Sequence, residues 1–235
     1  MSGIRSLHII VAAGSGSRFG ADLPKQFCLM AGRPVIVHTI EAMRRASGPD
    51  DRIVVAISAP MIPVWEKIEV AYGPTGAAMI AAGGPTRAAT VANALRATAR
   101  MEADVITIHD GARPLITPAV VDRLVEAASR PGSCGAIPVV ELTDSIRRLL
   151  PGGGTEAVAR SGYRAVQTPQ AFPARLLRVA YDAADPSDPM LTDDASVVEV
   201  FCGEGPALVA GDPSNIKITH PTDIERAEII LGHRR

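Results

Sequence analysis

The chain has 235 residues, of which 47% are hydrophobic and 21% charged, and its formal net charge is −1. This length and composition fit one large domain with a buried core, which we predict to span residues 1–235. The chain lacks the basic excess that binds a nucleic-acid polymer, and aromatic residues, at 3%, are too few for base-stacking surfaces. We therefore expect no nucleic-acid partner, although a single nucleotide stays open as a ligand.

The apolar runs of the chain are short. Residues 7–13 are too few for the core of a signal peptide, and no run approaches the roughly 18 residues of a membrane span. We expect a cytoplasmic protein with no membrane partner. The three cysteines are scattered and form no C-x-x-C pair, which favours neither a zinc site nor a disulfide framework.

Short β-rich runs alternate with segments of helical periodicity along the chain. This alternation predicts an α/β fold, a Rossmann-like and mainly parallel twisted sheet with helices on both faces. Ligands of such a sheet bind at the carboxyl ends of its strands. The predicted strands are residues 7–13, 52–58, 105–109, 135–140, 165–167, 207–210 and 216–219.

Several helices have recognisable starts. Pro34 is placed to begin a helix with one apolar face, and Thr117 precedes a proline as an N-cap precedes N1. A Gly-Gly turn leads into a helix predicted over residues 87–100. Thr222 and Glu225 have the spacing of a capping box that opens the last helix.

Residues 141–163 break this alternation. Two extended runs, 145–150 and 156–160, flank a Pro-Gly-Gly-Gly turn, which is the pattern of a β-hairpin with a loose tip. A hairpin that leaves a compact core has unpaired edges unless something covers it. We therefore predict a β-arm inserted at about 141–163 that a second subunit covers, so that the chain forms a homodimer.

The most informative motif is the glycine-rich loop VAAGSGSRFG at residues 11–20, directly after the first predicted strand. We expect its glycines to adopt positive φ and to bring backbone N–H groups close to an anion. Arg18 and Lys25 add two cations beside that cradle. The loop therefore predicts a binding site for the triphosphate of a nucleotide.

Two other glycine-rich loops fit the motif less well. The dinucleotide fingerprint needs its third glycine one residue before Gly20, and a Walker A loop needs Lys-Ser or Lys-Thr directly after it. The alternative without a ligand is a tight turn between strand and helix with two solvated cations.

A second motif, HDGARP at residues 109–114, follows a strand that reads as buried. Asp110 lies where it could hold a metal bound to phosphates, and Arg113 could grip a phosphate with two hydrogen bonds. Alternatively, Asp110 caps the following turn and pairs with Arg113. His109 is expected to be a packed, structural residue at the strand end.

Three weaker signals follow. Gly84 and Thr90 could meet a base or ribose, or could simply form a helix entry. Lys217 lies inside a predicted strand, where a lysine needs an exposed face or an anionic partner. Asp193 and Asp194 lie at a helix start, where the helix dipole alone favours acidic residues.

Six motifs occur in a fixed order: AAGxGxR, PKQF, HDGARP, QTPQAF, LTDDAS and NIKIT. Together they resemble the 2-C-methyl-D-erythritol 4-phosphate cytidylyltransferase family over about residues 8–230. The resemblance implies that CTP and methylerythritol 4-phosphate react, with Mg²⁺, to give 4-diphosphocytidyl-2-C-methyl-D-erythritol and pyrophosphate in isoprenoid precursor biosynthesis. In such a reaction a substrate phosphate oxygen displaces pyrophosphate from the α-phosphorus, so positioning and charge neutralisation count for more than a general base.

The resemblance also carries residue roles. The implied catalytic residues are Arg18, Lys25 and Lys217. The implied nucleotide contacts are Ala12, Ala13, Gly14, Gly16, Gly84, Thr90 and Asp110. The implied substrate contacts are Arg113, Ser145, Arg160 and Thr192. Ser145 and Arg160 would close the substrate pocket across the dimer, and Asp110 would be the metal ligand.

Three positions depart from the family pattern. Thr90 stands where serine is usual and Ser145 where threonine is usual, so both keep a hydroxyl. Ser214 stands where an acid is often found, which leaves Mg²⁺ to be held largely by phosphate oxygens.

The nearest rival is ribitol 5-phosphate cytidylyltransferase. The sequences Ala-Ala-Gly at 12–14 and His-Asp-Gly-Ala-Arg at 109–113 favour the methylerythritol enzyme over it. A nucleotide-binding protein without catalysis is the alternative from another class. Such a protein would be expected to lack Arg18, Lys25 or Lys217, and all three are present.

Overall fold

The computed structural model describes residues 3–14, 19 and 23–234, and its centre is an eight-stranded sheet. The strands are β1 (Ser6–Val11), β2 (Leu29–Met30), β3 (Arg33–Pro34), β4 (Arg52–Ile57), β5 (Met79–Ala82), β6 (Val105–Asp110), β7 (Ala136–Glu141), β8 (Arg147–Leu149), β9 (Thr155–Ala157), β10 (Arg164–Val166), β11 (Gln170–Pro173) and β12 (Ala207–Ala210). The α-helices are α1 (Val35–Arg45), α2 (Ile62–Tyr72), α3 (Arg87–Ala97), α4 (Pro118–Ala128), α5 (Ala174–Ala183), α6 (Asp194–Cys202) and α7 (Thr222–His233).

The sheet is mainly parallel, as predicted. Its order is β10-β7-β11-β6-β1-β4-β5, with β12 beside β7. Strand β1 pairs in parallel with β4 and β6, and β4 with β5. Strand β12 is parallel to β7, whereas β10 and β11 run antiparallel to their neighbours. Four parallel strands therefore end at the same edge of the sheet, where the sequence placed the ligand.

The helices cover both faces because side chains along each strand alternate in direction. In β4, Ile53, Val55 and Ile57 pack with α1, α2 and α4, whereas Val54 and Ala56 pack with α3, α5 and α6. A third cluster joins α7 to the segment after β6. The predicted apolar faces of α1 and α4 are buried in this arrangement.

The predicted strand at 216–219 is wrong, because these residues form no ladder. Strand β6 already has β1 on one edge and β11 on the other, which leaves no free edge for another strand. The segment instead crosses beyond the end of β6, where Ile218 N donates to Ala112 O at 2.8 Å.

Two helix ends also differ from the sequence prediction. Helix α3 ends at Ala97, three residues before the predicted end. The predicted capping box of α7 is wrong: Pro221 has helical φ and ψ and occupies the N-cap, so Thr222 lies inside the helix. The Asp223 carboxylate accepts the Thr219 and His220 N–H groups instead.

The hairpin predicted within 141–163 is present. Strands β8 and β9 pair with each other in a separate two-stranded sheet, with Arg147 opposite Ala157. The glycines at 152, 153 and 154 turn the chain with φ of 84°, 93° and 90°, a region that favours glycine. Leu149 is 80% exposed on this hairpin.

Among the described helices, none combines the length and apolar character needed to cross a bilayer.

Candidate active site

A cavity of about 450 Å³ opens at the carboxyl ends of β1, β5 and β6. Its wall contains the residues that follow those strands, together with the 217–219 segment. The charged side chains of the described wall are Lys25, Arg87, Asp110 and Lys217. Three cations thus face one carboxylate in a protein whose overall formal charge is −1, which favours a polyanionic ligand.

Gln26 holds the start of the glycine-rich loop. Its side chain is almost fully buried, and Nε2 donates to Ala12 O at 2.7 Å and to Gly14 O at 2.9 Å. The side-chain amide of Gln26 therefore fixes both ends of the segment 12–14. Gln26 belongs to the PKQF motif, but the sequence alone assigned it no role.

The backbone of Gly14 does not adopt the positive φ that we expected. Among the described residues, no atom would lie within 4 Å of a Cβ at this position, and the residue lines the cavity. The glycine therefore leaves room inside the cavity rather than shaping the turn. Gly16, Gly20 and Arg18 lie outside the described residues.

Small residues at the strand ends allow close backbone contact. A Cβ on Gly83 would lie 2.4 Å from Ala13 Cβ, and one on Gly111 would lie 2.9 Å from Ala12 Cβ. Such distances are closer than side-chain atoms approach. The alanines that follow β1 therefore pack against the glycines that follow β5 and β6.

Thr90 fixes the Gly84 turn. Its hydroxyl accepts the Gly84 N–H at 3.0 Å and donates to Thr86 O at 2.9 Å, and the residue is buried in the cavity wall. Gly84 lines the same cavity and has no room for a side chain, because a Cβ would lie 2.7 Å from Ala89 Cβ. The Gly84 turn thus leads into α3, as the alternative interpretation of a helix entry predicts, and it also lines the cavity.

Asp110 is surrounded by three cations. One oxygen, Oδ2, lies 2.7 Å from Lys217 Nζ and 3.7 Å from Arg113 Nε, and Oδ1 lies 3.4 Å from Arg87 Nε. Burial by itself raises the pKa of this carboxyl, but Arg87, Lys217 and Arg113 outweigh it and hold the pKa well below its usual range. Asp110 is therefore ionised, and it supplies the anionic partner that Lys217 needs.

His109 belongs to a buried hydrogen-bond chain and has the structural role that we predicted. The Asp110 N–H donates to Thr168 Oγ1 at 3.0 Å, and the Thr168 hydroxyl donates to His109 Nδ1 at 3.0 Å because the ring carries its proton on Nε2. His109 Nε2 in turn donates to Arg113 O at 3.0 Å. Burial lowers the pKa of His109 to about 4, so the ring is neutral near pH 7.

The 211–215 loop that precedes Lys217 is tied to the QTPQAF motif. Gln167 Nε2 donates to Asp212 O at 2.8 Å, and Asn215 Nδ2 donates to Thr168 O at 2.9 Å. Arg113 Nη1 donates to Asn215 O at 2.8 Å. The QTPQAF motif therefore supports the loop that leads to Lys217, although the motif itself does not line the cavity.

The predicted substrate contacts lie outside this cavity. Arg113 is behind Asp110, and Ser145, Arg160 and Thr192 are exposed. Arg160 Nη1 donates to Thr143 O within the same segment. One chain therefore brings together the predicted nucleotide contacts that the structure describes, but not the predicted substrate contacts.

Asp110 is the one carboxylate of the described cavity wall. Within residues 3–14, 19 and 23–234, no cluster of three or more His, Cys, Asp or Glu side chains is arranged to hold a metal ion. A single carboxylate fits Mg²⁺, which commonly binds one or two protein carboxylates together with substrate phosphates and water.

Comparison with known proteins identifies the family of this chain. The family model for 2-C-methyl-D-erythritol 4-phosphate cytidylyltransferase (IspD) matches residues 7–233. The protein of that name from Ralstonia nicotianae is 39% identical, over 98% of this chain and 93% of its own. The crystal structure of that name from Thermus thermophilus is 32% identical with a TM-score of 0.73, covering 94% of this chain and 97% of its own. A crystal structure of a 4-diphosphocytidyl-2C-methyl-D-erythritol synthase is 30% identical with a TM-score of 0.78, covering 97% and 99%.

These matches extend over nearly the whole chain, and they include the loops that form the cavity. The chain therefore belongs to the 2-C-methyl-D-erythritol 4-phosphate cytidylyltransferase family of nucleotidyltransferases.

Proposed function

We propose that the 450 Å³ cavity binds CTP and that cytidylyl transfer to methylerythritol 4-phosphate takes place there. The observation that carries this proposal is the charge of the wall, three cations against one carboxylate at the carboxyl ends of parallel strands. A triphosphate with a second phosphate ester beside it is the kind of ligand pair that such a wall stabilises.

The transfer requires charge stabilisation more than proton transfer. An oxygen of the methylerythritol phosphate attacks the α-phosphorus of CTP, and the bond from that phosphorus to the β-phosphate bridging oxygen breaks. Because the nucleophile is already an anion, no protein base is needed. Lys25 and Arg18 neutralise charge on the α-phosphate and on the leaving pyrophosphate, and Lys217 binds the incoming phosphate beside Asp110.

The backbone near the strand ends receives the nucleotide. Ala12, Ala13 and Gly14, with Gly16, contact the phosphates, and Gly14 leaves space for them. Gly84 and the turn that Thr90 supports contact the cytosine and ribose. The Thr90 hydroxyl acts here through the Gly84 N–H.

Asp110 is the residue that would hold Mg²⁺, sharing it with the phosphates of CTP. The ion, when bound, offsets the negative charge of the triphosphate. The three cations that keep Asp110 ionised also keep it available as a ligand over the whole neutral pH range.

The β8–β9 hairpin is proposed as a dimerisation arm. It forms a sheet of its own, and Leu149 is exposed on it. Ser145 and Arg160 lie away from the cavity of their own chain, which supports a role at the cavity of a second subunit. Arg113 and Thr192 complete the proposed substrate contacts.

Calorimetric titration with CTP and CMP tests this function. If the cations bind the triphosphate, CTP binds at least tenfold more tightly than CMP, and Lys25→Gln removes part of that difference. Lys67→Ala, on exposed α2, serves as a charge control with unchanged affinity. Equal affinity for CTP and CMP would contradict the proposal.

A further inference from the structure

The carboxylate of Asp194 is completely buried at the first position of α6. Its Oδ1 accepts the Tyr181 hydroxyl at 2.6 Å, and its Oδ2 accepts from Arg87 Nη2 at 2.7 Å. Burial and the neighbouring Asp194 charge raise the pKa of Tyr181 well above its usual value, so the phenol stays a donor. The sequence explains an acid at this position by the helix dipole alone, but the dipole does not require such burial.

Arg87 connects this buried carboxylate to the cavity. Its side chain is 29% exposed and lines the cavity, while Nε lies 3.4 Å from Asp110 Oδ1. One guanidinium thus bridges Asp194 behind the wall and Asp110 on it. The planar, fixed arrangement of guanidinium donors makes such a bridge sensitive to orientation.

Stability alone does not account for this arrangement. A buried ion pair costs desolvation that its attraction often fails to recover, and apolar replacements of such pairs are often neutral or stabilising. The pair joins residues 107 positions apart in the chain, at the starts of α3 and α6. What it does determine is the direction in which Arg87 presents its charge to Asp110 and to the cavity.

We propose that Asp194 and Tyr181 are positioning residues for cytidylyl transfer that act through Arg87. Tyr181 holds the Asp194 carboxylate, Asp194 holds the Arg87 guanidinium, and Arg87 orients Asp110 beside Lys217. Neither Asp194 nor Tyr181 lines the cavity. This inference rests on the proposed function of the cavity and deepens it.

A double-mutant cycle tests the proposal. Asp194→Asn keeps the size of the side chain and removes its charge, and Arg87→Gln removes the group through which it acts. We expect each substitution to lower kcat/KM for pyrophosphate release at least tenfold. The double variant should fall no more than twofold below Arg87→Gln alone, because the proposed effect of Asp194 on the cavity passes through Arg87.

Two further variants make the result decisive. Tyr181→Phe removes one hydrogen bond, and it should give a smaller loss that also disappears in the Arg87→Gln background. This second cycle decides the question if Asp194→Asn does not fold. Glu199→Gln, on the exposed side of α6, is the control and should stay within twofold of the wild type. Urea unfolding of each variant separates loss of activity from loss of folded protein.

A purely structural role for Asp194 would give losses that multiply in the double variant, and this result would overturn the proposal. An Asp194→Asn variant within twofold of the wild type would also overturn it. Failure of the proposed function would instead show as a wild type that releases no pyrophosphate. The same cycle measured on the Kd for CTP would then decide whether Asp194 acts through Arg87.

Discussion

Alanine substitutions at Gly14 and Gly83 should separate nucleotide binding from folding. A Cβ at Gly14 meets no atom of the described part of the chain within 4 Å, and the backbone there lies outside the positive-φ region. Gly14→Ala should therefore leave stability unchanged or raise it by about 0.4–1 kcal/mol, because the unfolded chain loses conformational freedom. Since the new methyl group enters the cavity, we expect the Kd for CTP to rise at least tenfold, about 1.4 kcal/mol.

Gly83→Ala should affect both properties. Its Cβ would lie 2.4 Å from Ala13 Cβ and 3.1 Å from Ile57 O, whereas carbon atoms normally pack at about 3.5–4.0 Å. The strand end must therefore shift by roughly 1 Å, and overpacking of this kind costs about 1–3 kcal/mol. Displacement of Ala13 should also weaken CTP binding.

Urea unfolding and calorimetric CTP titration of the wild type and both variants provide the measurements. The reasoning predicts a Gly14→Ala protein that is as stable as the wild type and defective in binding. If Gly14→Ala bound CTP like the wild type, or if Gly83→Ala were as stable as the wild type, the account of these strand ends would be refuted.

Three further predictions concern pH, catalysis and assembly. Because the pKa of His109 is about 4 when folded against 6.5 ordinarily, the unfolded state takes up the proton first. The free energy of unfolding should thus fall by up to about 3 kcal/mol between pH 6.5 and pH 4. In His109→Gln, the free energy of unfolding measured with urea should depend less on pH over this range. Lys25→Ala should lower kcat by roughly 100-fold or more in a pyrophosphate-release assay, whereas Lys67→Ala should not. If the arm completes the partner's site, mixing inactive Lys25→Ala and Arg160→Ala subunits should restore about a quarter of the sites. Half of the dimers are then mixed, and each mixed dimer has one intact site. No recovery of activity after subunit exchange would contradict the arm's role.

The sequence predicted best those elements whose local pattern matches their place in the fold. The strand predicted over 105–109 is rich in apolar residues because β6 is buried on both faces, and the acid at its end lines the cavity at the strand terminus. The hairpin is predictable because three consecutive glycines, all with positive φ, separate two extended runs. In each case the local sequence and the tertiary environment favour the same structure.

Other elements depend on partners that are distant in the chain. Strand β11 contains a glutamine and ends in a proline, and it forms because β6 and β7 leave a gap between them. The 216–219 run resembles a strand locally, but β6, near whose end it lies, has β1 and β11 on its two edges. Tertiary pairing therefore overrides the local preference in both directions.

The site shows the same division. Residues that contact the cavity through the backbone, such as Ala12 and Gly84, belong to recognisable motifs. The Arg87–Asp194 pair joins two motifs that had been interpreted separately, as a helix entry and as an acidic helix start. No local spacing encodes that contact, so only the three-dimensional arrangement shows it.

Pyrophosphate release tests the central claim most directly. The purified protein would be given CTP and Mg²⁺ with either methylerythritol 4-phosphate or ribitol 5-phosphate. We predict release with methylerythritol 4-phosphate and little with ribitol 5-phosphate. Preference for ribitol 5-phosphate, or no release with either from folded protein that binds CTP, would contradict the account.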